Sequence, residues 1–318
     1  MKRSFSAVVA SCLALVAASC SAAAQPGTST PTRAGVSTDV KLQHDGRERR
    51  YLISDFSGGK PAPVVFVLHG GGGHPENAQN MSQFDVIAAR EKSIVVYPGG
   101  TGGTPGGRLL TWNAGHCCAY ALDNKVDDVG FIRTIIDQLV ASGRADPRRI
   151  YVTGMSNGAM MSHVLARELP DRIAASAPIV GAIFGDEPAP KGPVATIIFV
   201  GQDDQAVPAA GGPLGGATRR PGGKAEDRNV APDIDQASYW AKANGCAAPV
   251  ESRDAKGKAV EIRWETCTSG RPVHFYRVAN NGHAWPGGKA GRAEADQPTQ
   301  DVNASEMMWR FFMANPKP

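Results

Sequence analysis

Ile150-Tyr151-Val152-Thr153-Gly154-Met155-Ser156-Asn157-Gly158-Ala159-Met160 is the stretch on which the fold turns. Ile150 to Thr153 reads as a buried strand, and Met160, Val164 and Leu165 then recur at helical spacing. Between them, Gly154-x-Ser156-x-Gly158 has the form of a sharp strand-to-helix elbow. A serine at such a turn has strained backbone angles, and large neighbours on either side would clash. Glycines relieve the crowding and leave the hydroxyl projecting above the sheet. The helix that follows aims its free N–H groups and positive end at the same point. The string alone is common in a chain with 37 glycines, so its setting between a buried strand and a helix carries the reading.

Working outward, the same alternation recurs. Residues 36–54 read as a hairpin turning at Asp45-Gly46. Val64 to Leu68 and Ile94 to Tyr97 are continuous apolar runs, as expected of strands buried on both faces of a parallel sheet. A helix is predicted from Glu76 to about Arg90, and a Gly-rich loop runs on to Lys125. Asp127 and Asp128 open a further helix. Strand signals return at Ile173 to Val180, Thr196 to Val200 and Val273 to Val278, with a hairpin around Lys256-Gly257-Lys258. Helices are predicted over Asp233 to Ala243 and Thr299 to Ala314, and residues 205–231 read as a loop suited to cap a site. Strands alternating with helices predict an α/β architecture, with a mostly parallel central sheet flanked by helices. No internal repeat or linker divides residues 36–318, which read as a single domain.

The chain has 318 residues, 42% hydrophobic and 20% charged, which suits a globular protein with a large core. Its net charge of +4 is spread without any basic block, which argues against a nucleic-acid partner. Lys2 and Arg3, the apolar run Phe5 to Ala18 and Ala22-Ala23-Ala24 predict a signal peptide over residues 1–24. Val16-Ala17-Ala18-Ser19-Cys20 also approaches a lipoprotein box, so a lipid anchor at Cys20 is an alternative to free secretion or a periplasmic location. Residues 25–35 would be a flexible tether. Apart from Cys12 and Cys20, four cysteines remain for an oxidising compartment. Cys246 with Cys267 is the sensible disulfide, since a hairpin would bring their segments together, and Cys117 and Cys118 are left as an adjacent pair or free thiols. His116-Cys117-Cys118 lacks the second ligand pair that zinc spacing requires, so no metal is expected.

Three further patterns carry chemistry. His69-Gly70-Gly71-Gly72-Gly73 follows a strand, and the N–H groups near Gly70 and Gly71, with that of Asn157 after the serine, suit an oxyanion hole. No Gly-Lys-Ser/Thr follows, which argues against a phosphate loop. Among seven histidines, His283 lies in a loop after the last core strand, where the chain order Ser, Asp, His puts the base. Asp203 and Asp204 both follow the strand Thr196 to Val200, and spacing alone does not choose between them. Trp112 and Trp285 are candidates to line an acyl pocket.

Thr111-Trp112-Asn113-Ala114-Gly115 with Cys117-Cys118, Val126 to Phe131, Gly154 to Met160 and Asn281 to Gly287 together resemble the poly(3-hydroxybutyrate) depolymerase and feruloyl esterase family, including lipoprotein esterases of mycobacterial type. The resemblance covers roughly residues 36–315. It implies an α/β-hydrolase fold and a serine carboxylic-ester hydrolase with Ser156 as nucleophile, His283 as base and no cofactor. The family's Gly-Thr-x-Asp-x-x-Val-Pro, aligned on Gly201 and Val207-Pro208, implies Asp204 rather than Asp203, although Gln202-Asp203 departs from the pattern. Its paired cysteines favour Cys246 with Cys267. Polymer-degrading members carry a separate binding domain, and the chain ends soon after its last helix. Soluble hydroxyalkanoate oligoesters, or feruloyl and acetyl esters, are therefore the expected substrates. A peptidase or thioesterase on the same scaffold, and a surface-binding lipoprotein with a decayed site, are the alternatives.

Overall fold

The structure is a computed structural model that describes residues 37–103, 109–215, 228–253, 257–292 and 294–318. The expected signal peptide, Cys20 and the tether lie outside the described residues, as do Lys256 and residues 216–227 of the expected cap.

The chain opens with an antiparallel pair, β1 (Thr38–His44) and β2 (Arg47–Asp55), joined by the Asp45-Gly46 turn. Then come β3 (Ala62–Leu68), α1 (Pro75–Ser82), α2 (Phe84–Glu91), β4 (Ile94–Pro98), α3 (Ala119–Asp123), α4 (Asp128–Ala141), β5 (Ala145–Met155) and α5 (Asn157–Glu168). The second half holds β6 (Ala175–Ile179), β7 (Ala195–Gly201), a short pair β8 (Gly212–Pro213) and β9 (Asn229–Val230), and α6 (Asp235–Ala243). It closes with β10 (Val250–Arg253), β11 (Ala259–Trp264), β12 (Val273–Val278) and α7 (Ala304–Ala314).

Ten strands form one sheet in the order β1-β2-β4-β3-β5-β6-β7-β12-β11-β10. The six from β4 to β12 run parallel, and antiparallel strands extend both edges. This is the α/β-hydrolase architecture. Each residue of β3 is buried, which explains its unbroken apolar run: Val64, Phe66 and Leu68 face the layer of α4, α5 and α6, while Val65 and Val67 face that of α1, α2 and α7. All six parallel strands end on one edge of the sheet, and the loops that leave that edge are where such folds build their sites. Among the described residues, no helix is long and apolar enough to cross a membrane.

The structure differs from the sequence expectation at several elements. The predicted helix from Glu76 to Arg90 is two helices, because Gln83 takes left-handed angles (φ 55°, ψ 22°) and its N–H closes α1 on Gln79 O. The break re-aims the second helix, so that Met81, Phe84, Ile87 and Ala88 are all buried. Pro75 at the first turn, capped by His74, is the local signal for the true start. The last helix begins at Ala304 rather than Thr299, since Asn303 caps it by accepting the Glu306 N–H and the preceding residues pair with the 280s loop instead. The predicted Gly-rich loop contains the short helix α3.

Cys246 and Cys267 form a disulfide that ties the end of α6 to the turn after β11, and the sulfurs of Cys117 and Cys118 are in contact with each other. A loop closed over 21 residues restricts the unfolded chain by about 3 kcal/mol. Replacing both Cys246 and Cys267 by Ser is therefore expected to lower unfolding stability by about that amount. Urea titration checks it, and an unchanged midpoint would refute the assignment.

Candidate active site

Ser156 sits between β5 and α5 with φ 57° and ψ −123°, a conformation a non-glycine residue holds only where its surroundings impose it. Its N–H donates to Ile179 O at the end of β6. The flanking glycines are required by close approach. A Cβ on Gly158 would stand 2.5 Å from His69 O and 2.6 Å from Leu68 O, and one on Gly154 would stand 2.5 Å from Gly158 O. The elbow is thus pressed onto the end of β3, the strand that leads into the glycine run.

That contact sets Gly70 and Gly71 beside the serine. Ideal Cβ positions on them fall 3.5 Å from Ser156 Cβ and 3.7 Å from Asn157 Cβ. Gly72 N donates to Leu110 O and Gly73 N to Gly70 O. The N–H groups of Gly70, Gly71 and Asn157 have no acceptor among the described residues. They flank the serine at the N-terminus of α5, where the first helical N–H groups have no intrahelical partner.

On the same sheet edge, Asp204 follows β7 and His283 follows β12, and the two strands pair in parallel. His283 Nδ1 lies 2.8 Å from Asp204 Oδ2. An ionised carboxylate only accepts, so Nδ1 carries the proton and Nε2 keeps its lone pair. The other oxygen of Asp204 accepts the N–H groups of Ala206 and Val207, each at 2.8 Å. Asp204 is buried, whereas Asp203 is exposed and uses its backbone N–H to hold Asn281 O. The structure therefore pairs the imidazole with Asp204 and not with Asp203. Ser156 is half-buried, and its Oγ has no hydrogen bond among the described residues. Among the described residues no hydrogen bond joins Ser156 Oγ to His283 Nε2, whose ring bonds Asp204 alone.

The two tryptophans are placed differently from the expectation that they line an acyl pocket. Trp112 is fully buried, with its indole N–H on His69 O and its ring tilted against that imidazole. Trp285 is fully buried too, its N–H on Ser305 Oγ, tying the His283 loop to α7. Both are internal braces, because an indole that satisfies its N–H inside the core presents no surface to a ligand.

Several residues around the site have supporting contacts that the sequence patterns did not foretell. The Asn157 amide accepts the Trp112 N–H at 2.7 Å and donates to Trp112 O at 3.1 Å, clamping the 111–113 loop beside the serine. Asp128 accepts the Asn113 N–H and pairs with the buried Arg49, which also donates to Gly99 O and stacks 4.0 Å over Phe131. Burial pushes the Asp128 carboxyl up, with Arg49 and the Asn113 N–H pulling against it. Asn281 holds its own turn by donating to Gly282 O and Ala284 O and accepting from Thr299 N. Among the described residues, no group of three His, Cys, Asp or Glu side chains is placed to hold a metal.

Comparisons with known proteins show likenesses to esterases. Residues 53–198 match the family model described as Esterase PHB depolymerase, a span that includes the glycine run and Ser156 and stops before Asp204. Feruloyl esterase B of Piromyces equi is 30% identical over 243 residues, 75% of this chain and 42% of that protein. Poly(3-hydroxyalkanoate) depolymerase C of Paucimonas lemoignei is 31% identical over 123 residues, 39% of this chain and 28% of that protein. The chain thus spans less than half the length of either relative. Among solved structures, an acetyl xylan esterase from Aspergillus awamori superposes with a TM-score of 0.58 at 16% identity, covering 87% of this chain and all of that one, a likeness of fold.

Two buried histidines give the site region a pH dependence. His69 Nε2 accepts the Gly100 N–H while Nδ1 donates to Gly70 O, bracing the loops after β3 and β4. His163 on α5 accepts the Trp240 indole N–H at Nδ1 and donates from Nε2 to Gln236. Burial pushes both imidazoles down from 6.5 to about 4. Between these values the unfolded chain binds protons that the folded chain refuses, so stability falls as pH drops through this window. At pH 5 the loss is about 2 kcal/mol for each ring. Urea unfolding at pH 7 and pH 5 is expected to show it, with both rings keeping neutral NMR shifts at pH 5. Rings that titrate near pH 6.5 would contradict the assignment.

Proposed function

We propose that this chain, which carries an Esterase PHB depolymerase domain, is an exported serine carboxylic-ester hydrolase acting through an acyl-enzyme. The observation that carries the reading is the 2.8 Å pairing of His283 with Asp204, which leaves Nε2 a free base on the sheet edge where the elbow presents Ser156. In the reaction, Ser156 Oγ attacks the ester carbonyl as His283 Nε2 takes its proton. The imidazolium is stabilised by Asp204, whose own position is held by the Ala206 and Val207 N–H groups. Oxyanion charge develops against the N–H groups of Asn157 and of Gly70 or Gly71, donors already fixed by the elbow and the glycine run. His283 returns the proton to the leaving alcohol, and the same base then activates water to release the acid. No cofactor takes part in this scheme.

The substrates we propose are short hydroxyalkanoate oligoesters or feruloyl and acetyl esters; the family model and the two named relatives support the first two classes. Export follows from the N-terminal segment, with Cys20 as the point of any lipid anchor. Purified protein is expected to hydrolyse p-nitrophenyl acetate, with methyl ferulate and hydroxybutyrate oligomers distinguishing the acyl preference and a peptide amide left intact. Ser156→Ala is expected to lower kcat by about 10⁴-fold or more, while unfolding stability changes little. Ester turnover at the parent rate in that variant, or amide cleavage exceeding ester cleavage, would overturn the proposal.

A further inference from the structure

We infer that Asp296 is a positioning residue for His283, a second carboxylate that holds the backbone of the base while Asp204 holds its ring. The inference rests on the reading of His283 as the base. The His283 N–H donates to Asp296 Oδ2 at 2.6 Å, a short bond to a charged acceptor and so among the stronger kind. Among the described residues this carboxylate is the only acceptor that N–H has.

Gly282 lies against the same carboxylate. Its φ lies outside the left-handed region, so the glycine is not needed for backbone freedom. A Cβ at 282 would collide with Asp296 Oδ2 and stand 2.8 Å from Cγ. A side chain there would displace the carboxylate from the place where it meets the His283 N–H.

The segment that bears Asp296 is itself anchored. Three residues on, the Thr299 N–H donates to Asn281 Oδ1, and Thr299 O accepts the Gly287 N–H. The turn of Asn281 to Ala284 is thus gripped from one side by Asp203 N–H on Asn281 O and from the other by residues 296–299. The imidazole is a lever. Asp204 fixes the Nδ1 end, and the position of Nε2 then depends on where the His283 main chain stands. A displacement of about 1 Å at the reacting atoms can reduce rate by about 100-fold. Asp296 is otherwise exposed, so its removal is expected to leave the core intact while loosening this one backbone position.

The test uses the full mature protein with p-nitrophenyl acetate and compares Asp296→Ala, Asp296→Asn, Gly282→Ala and the double variant Gly282→Ala/Asp296→Ala, with Ser156→Ala as control. Asp296→Ala is expected to lower kcat about tenfold with KM within about twofold and the urea midpoint unchanged. Asp296→Asn keeps an acceptor oxygen and is expected to restore most of the rate. Gly282→Ala is expected to slow the parent similarly but to add little in the Asp296→Ala background, because the group it collides with is gone. Parental kcat in Asp296→Ala, an Asn variant as slow as the Ala variant, or effects of the two substitutions that multiply would overturn the inference. If Ser156→Ala also retains ester turnover, the reading of the whole site has failed. If only Asp296→Ala retains it, the site stands and the role of Asp296 falls.

Discussion

The site depends on one close contact between backbones. At Gly158 the first turn of α5 meets the carbonyls of Leu68 and His69 with no side chain between them. The approach holds Ser156 at φ 57°, and it brings the end of β3, with Gly70 and Gly71, against the residue after the serine. Strain at the serine and the nearness of the backbone donors are thus two results of the same packing. A side chain at 154 or 158 would push the strand and the helix apart and undo both. The sheet makes this contact durable, since β3 and β5 pair in parallel up to Leu68 and Gly154, just short of the elbow.

The other half of the site depends on the adjacent pairing of β7 and β12. Parallel neighbours release their loops at the same edge, so the turn after β7 and the turn after β12 come together although their residues are about 80 positions apart. Gly201 at the end of β7 has no room for a Cβ beneath the carbonyls of Asn281 and Gly282. Both halves therefore use the same device. A glycine lets two main chains touch within three residues of the chemistry-bearing side chain.

How legible this was in the sequence follows from the physics of each part. Strands buried on both faces show as unbroken apolar runs, so β3, β4 and β7 were readable within a residue or two. The elbow and the glycine run were readable because backbone crowding demands glycine at set spacings, whereas His283 was singled out by its place in the loop after the last core strand. Asp204 needed the resemblance, as Asp203 stands beside it with the same chemistry and only burial separates them. The helix break at Gln83 was not readable, because helical spacing continues across it and the left-handed residue is not a glycine. Nor was the role of Trp112 and Trp285. An aromatic ring near a catalytic motif has the same letters whether it faces a ligand or the core, and here each indole N–H finds an acceptor inside.

The supporting shell shows why such contacts escape sequence patterns. Asn157 reaches Trp112, Asp128 reaches Asn113, and Arg49 reaches Asp128, each across a long stretch of chain and each through a main-chain group or a buried charge. A buried ion pair adds little net stability of its own, since desolvation offsets the attraction between the charges. Its effect here is directional. With Arg49 held by Gly99 O and by the face of Phe131, the Asp128 carboxylate has one orientation, and that orientation fixes the Asn113 N–H and with it the loop that carries Trp112. Trp112 in turn presents both its main-chain groups to the Asn157 side chain. The side chain of the residue after the serine is therefore locked from β2 through α4, which leaves its own N–H no freedom to turn away from the point where charge would develop. Polar groups whose partners are all internal can be placed in this way without any periodicity, and only the folded arrangement reveals them.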